Sequence, residues 1–232
     1  MSEAVYGEEV MGRITHGMLR LSTAMRSQAW SWAEGAGLTP TQGEILVLLM
    51  QRKSALRLGE IARQTALTAA TTSDAVSTLE TKGLVEKRRA VDDGRALAVR
   101  LTAKGRTAAK RAALWPNFLQ SAASSLPVEE QGALYRSLLK VINELEVKAH
   151  IPTHRMCLSC EHFEPLGEAG KEGKVAKKTA RSAKVRAVAP VHHCTALKID
   201  YPDTGIRLDC AAWEEASESK RKKHWKLFVQ TA

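Results

Sequence analysis

The sequence predicts a mostly helical chain with one small β-hairpin, followed by a small irregular module. Three observations predict it. Apolar residues recur at helical spacing through most of the first 150 residues. One alternating stretch turns at Asp93-Gly94. All four cysteines (Cys157, Cys160, Cys194 and Cys210) fall in the last third of the 232 residues.

Residues 9–35 read as the first helix, because Ile14, Met18, Leu21 and Met25 fall on one face. A second helix starts in "LTPTQGEILVLLM". Thr39 caps it, Pro40 suits its first turn and Gln42 completes a capping box, while Ile45, Leu46, Leu48 and Leu49 form its buried face. A short helix at about 58–65, a turn through Leu67 and a helix at about 69–82 follow, with Thr68 as cap and Gly83 just past the end. Val85, Leu97, Val99 and Leu101 mark two strands around the Asp93-Gly94 turn. Residues 103–123 and 127–148 read as two further helices, the last with a stripe of Leu134, Leu138, Val141, Ile142 and Leu145. Trp30, Trp32 and Trp115 are expected in the core.

Charge separates the chain into parts. Residues 165–190 carry seven Lys/Arg against two Glu, and 217–232 carry five against one, so these two stretches hold nearly all of the net charge of +10. Basic arms of this kind favour polyanions such as DNA. Residues 165–190 read as a flexible basic insertion and 217–232 as a basic tail that contacts DNA or packs back on the module. No apolar run approaches the roughly 20 residues needed to span a bilayer. The acidic N-terminus lacks the blocks of a signal peptide, so a cytoplasmic protein with no membrane partner is expected. In a reducing compartment clustered cysteines bind metal or do redox work more often than they form structural disulfides.

On "TPTQGEILVLL", "LGEIARQTALTAATTSDAVSTLETKGLVEKR" and "DDGRALAVRLTAKG", residues 9–148 resemble the MarR family of winged-helix transcriptional regulators. Asp93, Arg95, Leu101, Thr102 and Gly105 stand at the positions of that family's signature. The resemblance implies a winged helix-turn-helix that dimerises through its first and last helices, a double-stranded DNA operator as partner, a repressor's function, no enzymatic activity, and a small-molecule inducer as a possible further partner. It points to Ala69, Ala70, Ser73, Asp74 and Ser77 as residues facing base edges. Arg88, Arg89 and Arg95 around the hairpin suit phosphate or minor-groove contacts. The sequence departs from the family's habit in one respect: no Arg or Lys lies between Arg63 and Lys82, which argues against strong guanine readout from this helix. No cysteine lies near the first helix, so the oxidant-sensing mechanism of some relatives is excluded.

The cysteines run C-x2-C, then Cys194, then Cys210. A C-x2-C aims two thiolates at one centre, and two later cysteines complete a set of four, which suits zinc or an iron–sulfur cluster. His192 and His193 are possible substitutes for Cys194. "CEHF…HHCTALKIDYPDTGIRLDCAAW" is similar to the cluster-binding pattern of high-potential iron–sulfur proteins, with Phe163 and Trp213 as the implied packing aromatics. Residues 151–216 hold few large apolar residues, so metal is expected to supply much of their folding energy. The expected organisation is a DNA-binding and dimerisation domain over 1–150, a metal module over 151–216 and the tail over 217–232. Two rival readings stay open: a ligand-responsive repressor with a purely structural zinc module, and a small redox or electron-transfer protein.

Overall fold

The computed structural model describes residues 3–52, 54–89, 97–166 and 191–230. The wing tip with Asp93, Gly94 and Arg95 lies outside these residues, as does nearly all of the basic insertion. The chain forms two compact units, Met1–Ser125 and Leu126–Ala232. The division falls before the last long helix, Val128–Val147.

The first unit begins with α1 (Glu3–Gly35), whose chain turns through Gly37 at φ +63 before α2 (Pro40–Met50). The capping box forms as expected: Thr39 Oγ1 accepts from the Gln42 N–H at 3.2 Å, and Gln42 Oε1 accepts from the Thr39 N–H at 3.2 Å. Strand β1 (Leu56–Arg57), helix α3 (Leu58–Gln64) and helix α4 (Ala69–Thr81) follow, then the hairpin β2 (Val85–Arg89) and β3 (Leu97–Leu101). The sheet order is β1-β3-β2, all antiparallel. Ile45, Leu46, Ile61, Val76, Leu79, Val85 and Val99 make one core, which fixes the helix-turn-helix to the sheet.

Two sequence expectations need correction. Residues 103–123 are two helices, α5 (Ala103–Ala112) and α6 (Asn117–Ala123). Pro116 separates them: it has no N–H to donate and disfavours helical backbone at the residue before it. Trp30 is 58% exposed and no part of the core. Trp32 is half-buried over Gly43, where a Cβ would stand 2.7 Å from its ring, and Trp115 is half-buried beside Phe118.

The second unit contains α7 (Val128–Val147), a 3-10 turn over Cys157–Ser159, the strands β4 (Phe163–Leu166), β5 (Val191–Cys194) and β6 (Ile199–Tyr201), and α8 (Glu218–Gln230). The strands form an antiparallel sheet in chain order. Its core joins Leu139 of α7, Met156, Leu158, Phe163 and Ile206 to Phe228 of α8, with Tyr135, Ile142, Trp213 and Trp225 packed around them. The cysteine region thus draws apolar partners from outside residues 151–216, more than its own composition promised. The basic tail is a helix that packs back, burying His224 and Phe228 one turn apart.

Candidate nucleic-acid interface and metal centre

In the helix-turn-helix, α3 ends with Ala66 in the left-handed region at φ 53, and the Leu67 N–H returns to the Ala62 carbonyl at 2.9 Å. Thr68 then caps α4, accepting from the Thr71 N–H at 3.1 Å. Thr72, Val76 and Leu79 turn inward, which leaves Ala69, Ala70, Ser73, Asp74 and Ser77 on the solvent face. All five residues expected to face base edges are therefore together and accessible.

The hairpin supplies the cations that α4 lacks. Arg88 and Arg89 are exposed on β2. Arg88 pairs with Glu86 at 3.2 Å, and Arg100 pairs with the same carboxylate at 2.5 Å. Lys87 is the residue that the sequence reading missed. Its Nζ donates to Ser77 Oγ at 3.1 Å and pairs with Glu80 at 2.9 Å, which puts an ammonium against the open face of α4. Only the pleat of β2, one residue before Arg88, reveals that placement.

Of the signature residues, Leu101, Thr102 and Gly105 lie among the described residues and are structural, Leu101 being buried in the core. Thr102 caps α5 through the Gly105 N–H at 3.0 Å, and its hydroxyl donates to the Gly83 carbonyl at 2.8 Å. Gly83, at φ +70, ends α4. A Cβ on Gly105 would lie 1.8 Å from the Leu84 carbonyl oxygen, so only glycine admits this approach. Thr102 and Gly105 together lock α5 against the turn between α4 and the wing.

In the second unit all four cysteines line one cavity of about 210 Å³. Cys157 and Cys160 sit on the tight 3-10 turn, Cys194 ends β5 and Cys210 lies in the return loop. Cys157, Cys160 and Cys210 are buried, while Cys194 is half-exposed. Phe163, Leu197, Ile199 and Tyr201 give the cavity apolar walls. The Arg207 N–H donates to Cys157 Sγ at 3.2 Å. Burial pushes the Cys157 and Cys160 thiols up, and backbone N–H groups (Arg207 for Cys157; Glu214 and His162 for Cys160) oppose that rise by favouring the thiolate. The Tyr201 hydroxyl is pushed up as well, first by burial and then by Cys157.

The two histidines proposed as substitute ligands do not line this cavity. His192 Nε2 meets Asp203 Oδ1 at 2.6 Å, and its ring packs on Phe163 with centroids 5.0 Å apart. His193 Nδ1 meets Asp200 at 2.6 Å. Of the two implied packing aromatics, Phe163 lines the cavity and Trp213 does not. Phe163 is fully buried in the core, and Trp213 packs on that core while donating from Nε1 to Ser159 Oγ at 3.1 Å.

Comparison with known proteins bears on the first of these two sites. No curated protein matches the chain. Among solved structures, the S. aureus MepR–DNA complex is 24% identical, covering 57% of this chain and 97% of its own with a TM-score of 0.51. S. aureus MepR in its DNA-binding conformation gives the same identity and TM-score, covering 57% and 98%. These likenesses concern the fold. Residues 36–96, which hold α2 to α4 and the start of the wing, match the MarR family. The chain is therefore similar to the MarR family over residues 36–96 and shares the winged helix-turn-helix fold of MepR.

Proposed function

We propose that the protein is a DNA-binding transcriptional regulator, a repressor that holds its double-stranded operator as a homodimer in the cytoplasm. The observation that carries this reading is the α4 face. Ala69, Ala70, Ser73, Asp74 and Ser77 are all exposed on it, and Lys87 stands beside it. MepR, which shares the fold, has been crystallised on DNA. The base-facing chemistry is small and neutral apart from one carboxylate. Asp74 suits a cytosine amino group, the alanines suit thymine methyls, and the serines suit either donors or acceptors. Lys87, Arg88 and Arg89 suit phosphates, which set register and affinity rather than sequence. The second unit adds a four-thiolate metal centre at Cys157, Cys160, Cys194 and Cys210. Its occupancy biases the protein between arrangements that fit the operator and arrangements that do not.

Selection of duplexes from a random library, followed by titration at fixed salt, tests the DNA reading. Asp74→Ala is expected to relax preference at one base pair by about 1–3 kcal/mol. Lys87→Ala is expected to weaken all duplexes evenly and to reduce the salt slope by about one. Equal affinity for selected and random duplexes would overturn the reading.

A further inference from the structure

We propose that Cys157, Cys160, Cys194 and Cys210 hold an iron–sulfur cluster rather than a single zinc ion. The inference rests on reading the four as one metal centre, and it adds what that centre is. The first argument is size. A zinc ion draws four sulfurs to about 2.3 Å from one point and leaves no room between them. Here the four cysteines, with eight other residues, line an open-sided cavity of about 210 Å³, many times the roughly 10–15 Å³ that one water requires. A second argument is spacing. Among the described residues no three His, Cys, Asp or Glu groups stand close enough together to hold one ion. The four thiols therefore surround a space without converging on a point, which is how ligands meet a polyatomic guest.

Chemistry narrows the guest further. The cavity's titratable lining is the four cysteines, Tyr201, His162 and Arg207. His162 is engaged with Thr195 at 3.2 Å and with Glu214 at 3.4 Å, which leaves an all-thiolate ligand set. Thiolates select soft centres, among them iron–sulfur clusters and zinc, and size then decides between those two. The walls supply what a buried anionic cluster needs. Backbone N–H groups point at Cys157 and Cys160, and the Arg207 guanidinium reaches Cys210 Sγ at 4.0 Å. Hydrogen bonds to cluster sulfurs and limited solvent access are the levers that set a cluster's potential. Phe163, Tyr201 and Leu197 provide the dry side.

Assembly requires no oxidant when ferrous and ferric iron are supplied in equal parts. Each thiol releases its proton as its sulfur takes an iron, and inorganic sulfide bridges the irons. The test uses the full-length chain, purified without oxygen and offered equal ferrous and ferric iron, sulfide and an equal amount of zinc. Iron and acid-labile sulfide should be retained in equal amounts, with broad visible absorbance that fades in air. One zinc per chain at about 2.3 Å from sulfur, with no retained iron or sulfide, overturns the cluster while leaving the metal centre standing. Iron without matching sulfide overturns it equally. Retention of neither metal, with all four cysteines open to alkylation, overturns the metal centre itself. Cys194→Ser and Cys210→Ser should each lower iron and sulfide together several-fold, and unchanged iron and sulfide in either variant counts against a shared site. Should a variant fail to fold, the metal and sulfide content of the unaltered chain still decides.

Discussion

Arg136 shows how single residues hold the cysteine cavity in shape. Its guanidinium lies 4.4 Å from the centre of the Phe228 ring, donates to the Phe228 carbonyl and pairs with Asp203. Asp203 in turn accepts from His192 on β5, so one network ties α7, α8 and the strand that ends in Cys194. Burial, with Arg136 nearby, pulls the His192 imidazole down to about 4, which keeps it a neutral donor to Asp203 near pH 7. Both members of the ion pair are largely shielded, with side-chain exposures of 17% and 16%. Removing one partner then strands the other in a poorly solvated place, which costs about 3–5 kcal/mol. Arg136→Met is expected to lower the stability of the second unit by that order, read as earlier hydrogen exchange and proteolysis of residues 126–232. Combining it with Asp203→Leu should recover only part of the loss: no charge is then left unpaired, but His192 Nε2 and the Phe228 carbonyl lose these partners. A loss below about 1 kcal/mol in the single variant would mean that water screens the pair as it does at a surface.

At the scale of elements, the joint between α4, the wing and α5 is the most constrained part of the first unit. The Leu84 carbonyl occupies the space that a side chain at 105 would need, and Thr102 pins the same turn from the other side. Gly105→Ala must therefore displace backbone, and is expected to cost about 3 kcal/mol or to unfold the first unit. An unchanged urea midpoint would show that α5 can shift without consequence. Elements like α2 and α4 were legible in the sequence because caps and periodic apolar residues are local signals, as Thr39-Gln42 and Thr68 illustrate. The break at Pro116 was visible but outweighed by the helical composition around it. Strand β1 has two residues and exists only through its partner β3, so no local pattern announces it. Helix α8 read as a charged tail because its buried face is as narrow as His224 and Phe228. The four cysteines stood out as a set, but their common cavity depends on β5 and the return loop folding over the C-x2-C turn. Such long-range closure has no signature in spacing.

At the scale of the whole molecule, two apolar surfaces lack partners within their own units among the described residues. Helix α1 has 33 residues, a length of about 50 Å. Ile14, Met18, Leu21 and Met25 remain exposed along it, with Leu21 at 56%. On α7 the expected stripe divides. Of its residues Ile142 packs into the second core, beside Leu139 from outside the stripe, while Leu134, Leu138 and Val141 stay exposed. Contiguous apolar surface of this extent marks an interaction site. A second copy of the chain is the occupant that suits a regulator, because two α4 helices reading a palindromic site must lie about 34 Å apart, one turn of the duplex. Sedimentation is therefore expected to give twice the chain mass of 25.4 kDa at micromolar concentration. Met18→Asp with Leu21→Asp should yield folded monomers that keep their helical content and lose preference for paired half-sites. Leu138→Asp with Val141→Asp probes the second surface in the same way. Ile142 is unsuitable for this test, since a charge there enters the core of the second unit and unfolds it instead of parting two copies. A monomeric wild type would assign both stripes to another partner and would limit each chain to a single half-site.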